Sequence, residues 1–78
     1  MKTRGIENAT RRLVGARKLG SATLLAQAEQ EARHALTQAK AWMEWAGEGR
    51  SADDLAADEN YAAITAATQA LEMTIATA

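Results

Sequence analysis

Between Ser21 and Ala46 the residues Leu25, Ala28, Ala32, Ala35, Ala39, Trp42 and Ala46 recur at alternating spacings of three and four. That rhythm lines them along one face of an α-helix and leaves Gln, Glu, Arg and Lys on the other. Five of the seven are alanine. Packed helix axes stand roughly 8 to 10 Å apart according to the side chains between them, and an alanine face belongs at the short end of that range. Each buried methyl contributes on the order of 0.8 kcal/mol or less, so such a face holds only against a closely fitted neighbour. A second helix is therefore required.

The same chain supplies a candidate. From Ala57 onward, Ala57, Tyr61, Ile64, Thr68, Leu71, Ile75 and Ala78 repeat at fours and threes. Between the two stripes Gly47-Glu48-Gly49-Arg50-Ser51 reads as a loop, because two glycines within three residues admit the positive φ that a helix end and a reversal need. Ser51 with Asp54 resembles a capping box in which Asp stands for Glu, and Asp53, Asp54, Asp58 and Glu59 lie where a helix N-terminus favours negative charge. The expectation is an antiparallel helical hairpin, about 21–46 and 52–77. A five-residue loop cannot return the chain to a parallel start. In this register Trp42 falls opposite Ala57 to Tyr61, while Leu25 and Leu36 meet Ile64, Leu71 and Ile75, large against small.

Ahead of the hairpin, Ile6, Ala9, Leu13 and Ala16 repeat at threes and fours and predict a shorter basic helix over about 6–19. Gly20 followed by Ser21 reads as a stop and a new cap. Residues 1–5 carry no periodicity and are expected to be disordered. The chain of 78 residues is read as a single α-helical domain, a small three-helix bundle. The absence of proline and the scarcity of aromatics favour helix over strand throughout.

Twenty of the apolar residues are alanine and only 16 beyond Met1 are larger. A chain of this length buries only about 60 to 65% of the surface its unfolded form exposes. With no cysteine there is no disulfide or thiolate metal site to reinforce it. Self-association is the remaining source of burial, so a homodimer is expected. No apolar run reaches the roughly 20 residues of a membrane span, and no secretory signal follows the basic start, so the expected location is cytoplasmic and not membrane-bound.

The formal net charge of -1 conceals a gradient. The segment from Met1 to Gly20 carries +5 and the segment from Gly47 onward -5. Arg4, Arg11, Arg12, Arg17 and Lys18 form a candidate basic contact patch, of the kind that neutralises phosphates and releases counterions. The competing use of that patch is packing beside the acidic helix, and a sequence pI of about 5.7 argues against a dedicated DNA binder. A helix-turn-helix fits poorly: Ser21 stands where an apolar residue packs, and the following helix is too long and carries Gln27, Glu29, Gln30 and Glu31.

No catalytic constellation can be assembled. His34 is the single histidine, which leaves no metal pair and no nucleophile dyad. Asp53, Asp54, Asp58 and Glu59 lack calcium-loop spacing, and Gly15 and Gly20 lack the rest of a phosphate loop. No cofactor and no enzymatic activity are expected. The remaining candidates are Trp45, Met43 and Glu44 with the four carboxylates. Trp45, three residues from Trp42, either flanks the core, the preferred reading, or stands out as an aromatic anchor of the sort enriched at interfaces. The expected function is a non-enzymatic protein-binding module, a small adaptor or inhibitor that lays a helical face on a larger protein. Analogy of size and class alone extends the inhibitor reading to phage-type accessory proteins acting on a host system. The alternative is a small nucleic-acid-associated protein using the basic helix.

Overall fold

The computed structural model describes residues 1–77. It is all-helical, with four helices packed together: α1 (Arg4–Leu19), α2 (Ala22–Gly47), α3 (Ala52–Ala57) and α4 (Glu59–Ala76). α1 packs on both α2 and α4, α2 on α4, and α3 on α4. The 26 residues of α2 extend about 39 Å at 1.5 Å per residue and set the long dimension of a body measuring 44 × 19 × 16 Å.

The turns follow local chemistry. Gly20 adopts φ +70°, and its N–H donates to the carbonyl of Ala16, ending α1 in the left-handed conformation that glycine takes without steric cost. Ser21 then accepts the Leu24 N–H at 3.4 Å and opens α2. Gly49, also at φ +70°, turns the chain after α2, and Ser51 accepts the Asp54 N–H at 3.1 Å to start α3.

Two helix limits differ from the sequence expectation. α1 begins at Arg4, ahead of Ile6, so Arg4 and Gly5 stand inside the helix. More consequentially, the helix expected over 52–77 is two helices, because Asp58 leaves helical geometry at φ -84°, ψ 106°. Its Oδ1 accepts the Tyr61 N–H at 3.0 Å, and its Oδ2 accepts from Arg50 Nη1 at 3.0 Å. A carboxylate that caps a new helix competes with continuation of the old one, and here the Arg50 bridge adds to the cap. Ala57, expected in the packing stripe, is exposed as a result. Ala78, the last position of that stripe, lies outside the described residues.

Ile6, Ala9, Leu13 and Ala16 of α1, Ala28, Ala32 and Ala39 of α2, and Ile64, Thr68 and Leu71 of α4 are buried. Among the described residues the four large, fully buried side chains, Ile6, Leu13, Ile64 and Leu71, all come from α1 and α4. Each contributes about 1.5 to 3 kcal/mol on burial, so the longest helix presents the flat side of the core and its neighbours the relief. Leu25, Ala35, Leu36, Trp42, Met43 and Ile75 pack half-buried around this centre. α1 is thus a full partner in the core rather than an appendage. Among the described residues the one buried polar side chain, Thr68, donates its hydroxyl to the carbonyl of Ile64 at 2.7 Å, which leaves it satisfied.

Arg17 joins the first helix to the last. Its guanidinium donates to the carbonyl oxygens of Thr74 and Ile75, groups that the end of α4 cannot pair within its own helix. Arg12 Nη1 lies 3.1 Å from Glu31 Oε2, and Lys40 Nζ 3.5 Å from Glu72 Oε2, tying α1 to α2 and α2 to α4 across exposed edges. Exposed pairs of this kind contribute little, with a median of about 0 to 1 kcal/mol, and chiefly mark which helix edges adjoin.

Candidate functional site

The strongest candidate lies at the end of the molecule where α2 finishes and α3 and α4 begin. The rings of Trp42 and Tyr61 meet there with centroids 6.1 Å apart and planes inclined at 32°. Both are half-buried, and the spacing is that of a favourable aromatic pair. Leu55 of α3 reaches back toward the last residue of α2, its Cδ1 only 3.6 Å from where a side chain at Gly47 would start.

Trp45 stands on this end at 69% exposure, which corrects the expectation that it flanks the core. Three helical residues carry it about 60° away from Trp42 around the helix. Counting back along α1 from the Arg12–Glu31 pair, the start of α1 comes about level with Ala39, so nothing from α1 covers that side of α2 at Trp45. Met43 is half-buried and packs against the core, whereas Glu44 is exposed.

The carboxylates separate into two kinds. Asp53, Asp54 and Glu59 are exposed, and their place in the first turns of α3 and α4 suits the positive end of a helix. Asp58 is held. The Tyr61 N–H, foremost, and the Arg50 guanidinium lower its pKa below the ordinary 3.8, because both stabilise the ionised form. Its role is therefore architectural: it fixes the α3–α4 corner. Among the described residues no group of three or more His, Cys, Asp or Glu is placed to hold a metal ion. His34 is exposed and borders a shallow cleft with Gln27, Gln30 and Glu31.

The basic residues fall into two groups. Arg12 faces Glu31 on α2, Arg17 is committed to the end of α4, and Arg11 leans 3.9 Å from Glu7 on its own helix. Arg4 and Lys18 stand at opposite ends of α1, separated by about 21 Å of helix. Arg4, Arg11 and Lys18, seven residues apart in turn, therefore share one exposed side of α1, while Arg12 and Arg17 serve contacts between helices.

An apolar surface runs along the outer side of α4, where Ala62, Ala66 and Met73 are exposed. Two open grooves adjoin there. One, of about 450 Å³, is lined by Ala52, Leu55, Ala56, Tyr61, Ala62, Thr65, Ala66 and Gln69; the other, of about 430 Å³, by Val14, Arg17, Ala70, Met73, Thr74 and Thr77. The second groove has a signal that is legible only once α1 is known to lie beside α4, namely Val14 just off the buried stripe of α1.

The fold places the chain in the class of small all-α proteins, and among the described residues no helix is long and apolar enough to cross a membrane. Comparison with protein-family models, curated proteins and solved structures finds no match for the chain, so the particular reading rests on its own residues.

Proposed function

We propose that this protein is a non-enzymatic protein-binding module, an adaptor or inhibitor acting in the cytoplasm, whose contact centre is Trp45 at the acidic end of the molecule. The observation that carries this reading is the exposure of Trp45 on a regular helix. A large aromatic on a rigid element loses little conformational entropy on binding, and Trp is among the residues that dominate interface energetics. Glu44, Asp53, Asp54 and Glu59 surround that end with negative charge, which favours a partner surface rich in Lys and Arg and speeds encounter with it. The antiparallel pairing of α2 with the α3–α4 arm belongs to this proposal. It is supported by Trp42 beside Tyr61 at one end and by Arg33 sharing a cleft with Ile75 toward the other. Self-association into a homodimer is part of the same reading, motivated by the small number of large buried side chains.

The test is affinity capture from the native host with the wild type and Trp45→Ala in parallel, followed by mass spectrometry. The expected result is a protein retained by the wild type and lost with Trp45→Ala while the circular dichroism and melting temperature of the variant stay unchanged. Equal capture by both rejects Trp45 as the contact centre.

A further inference from the structure

We infer that the outer face of α4 is the surface on which a second copy of this chain docks, with the two α4 helices running antiparallel about a twofold axis between Ala66 and Ala70. The inference rests on the homodimer reading above and gives it a location. From Asn60 to Leu71 the helix carries no charged residue, and Glu72, the one charge after that, is turned to Lys40 of α2. A helix face left to water normally bears charge. Here Ala62, Ala66, Ala70 and Met73 point outward, with Met73 at 71% exposure.

Shape and charge both select a second copy in this orientation. Met73 projects from the C-terminal part of the face, and the groove between α3 and α4, bordered by Leu55, Ala62 and Ala66, lies about 11 to 16 Å away toward its N-terminus. An antiparallel twofold sets each Met73 over the other copy's groove, the same patch serving both sides of an isologous contact. Charge follows the same symmetry. The hydrogen bonds from Arg17 to Thr74 and Ile75 fix the last turn of α1 beside the last turn of α4, and Lys18, one helical turn after Val14 at the edge of the second groove, lies level with that end of the face, while Glu59 stands at the opposite end. No ion pair among the described residues engages Lys18 or Glu59. The antiparallel arrangement brings Lys18 of each copy to Glu59 of the other, twice per dimer. A parallel arrangement would instead place like charges together.

Sedimentation velocity on the full chain tests this. The expected results are a wild-type dimer that dissociates on dilution, monomeric Ala66→Glu and Met73→Glu variants with unchanged helical dichroism, and dimers weakened about tenfold by Lys18→Glu or Glu59→Lys alone. The double variant Lys18→Glu with Glu59→Lys recovers wild-type association. Dimers that survive both Ala66→Glu and Met73→Glu reject this face while leaving self-association intact, and a double variant no stronger than the singles rejects the antiparallel register. A wild type that remains monomeric up to hundreds of micromolar, on the order of the weakest specific contacts, overturns the inference and the homodimer reading together, whereas loss of the Trp45 capture leaves both untouched.

Discussion

Replacing Ala32 with leucine is the sharpest probe of the alanine face. Ala32 has no exposed surface and belongs to the cluster that includes Leu13 and Leu71. The substitution adds three carbons. With no exposed surface at this position and the neighbouring helices close-packed against it, the added carbons cannot be taken without movement. Overpacking of this kind costs about 1 to 3 kcal/mol. A domain of this length has about 4 to 12 kcal/mol in total, from 0.05 to 0.15 per residue, and each kcal/mol lowers the melting temperature by about 4 to 8 °C. The expected fall for Ala32→Leu is therefore about 12 °C at the middle of the range. Ala26→Leu, an exposed site on the same helix, changes the same atoms without the packing cost and should shift the melt by only a degree or two, a few tenths of a kcal/mol in helix propensity. Melting followed by circular dichroism at 222 nm decides it: two variants melting within about 2 °C of each other would falsify close approach at Ala32.

Other consequences are open to equally direct measurement. Arg17→Met keeps much of the side-chain stem but strips the donors from the carbonyls of Thr74 and Ile75, and should cost about 1 to 2 kcal/mol, read by denaturant unfolding; no loss means water serves those carbonyls equally well. Asp58→Asn retains the capping shape and removes the charge facing Arg50. Because the folded pKa of Asp58 lies below 3.8, its charge stabilises the fold fully above that value, and the advantage disappears as pH falls through the lower folded value. The gap in melting temperature between wild type and Asp58→Asn should accordingly be steady near neutrality and close in acid, and a gap that opens in acid contradicts the assignment. Acrylamide should quench Trp45 in a Trp42→Phe background far more than Trp42 in a Trp45→Phe background; equal quenching would contradict the difference in their exposure. Binding to duplex or single-stranded nucleic acid should be absent at low salt, whereas micromolar affinity falling steeply with salt would instead favour the basic-helix reading.

The parts of this fold legible in the sequence are those decided by periodicity and by glycine. The stripes at Ala28, Ala32 and Ala39, at Ile6 to Ala16 and at Ile64 to Leu71 mark the buried faces, and Gly20 and Gly49 mark reversals, because few residues adopt φ near +70° without strain. The break at Asp58 was hidden because Ala57 and Tyr61 keep the helical spacing across it. What ends the helix is a side chain competing for its own backbone, aided by an arginine eight positions earlier. The exposure of Trp45 escapes the periodic pattern for a different reason: spacing tells which face a residue occupies but not how far along the helix its neighbour extends, and α1 stops short of it. The Arg17 clasp on α4 depends on proximity between residues 57 positions apart, to which local pattern is blind.

A flat central helix also decides where the fold can adjust. Alanine has no rotamers, so burying Ala28, Ala32 and Ala39 freezes no side-chain freedom, and by the same fact these buried positions of α2 have nothing to rearrange when their surroundings change. At the centre of the core, accommodation falls to Ile6, Leu13, Ile64 and Leu71. Second-site suppressors of an enlarged residue in α2 should accordingly arise as trimmed side chains on α1 or α4, giving the molecule one inflexible template and two tunable faces.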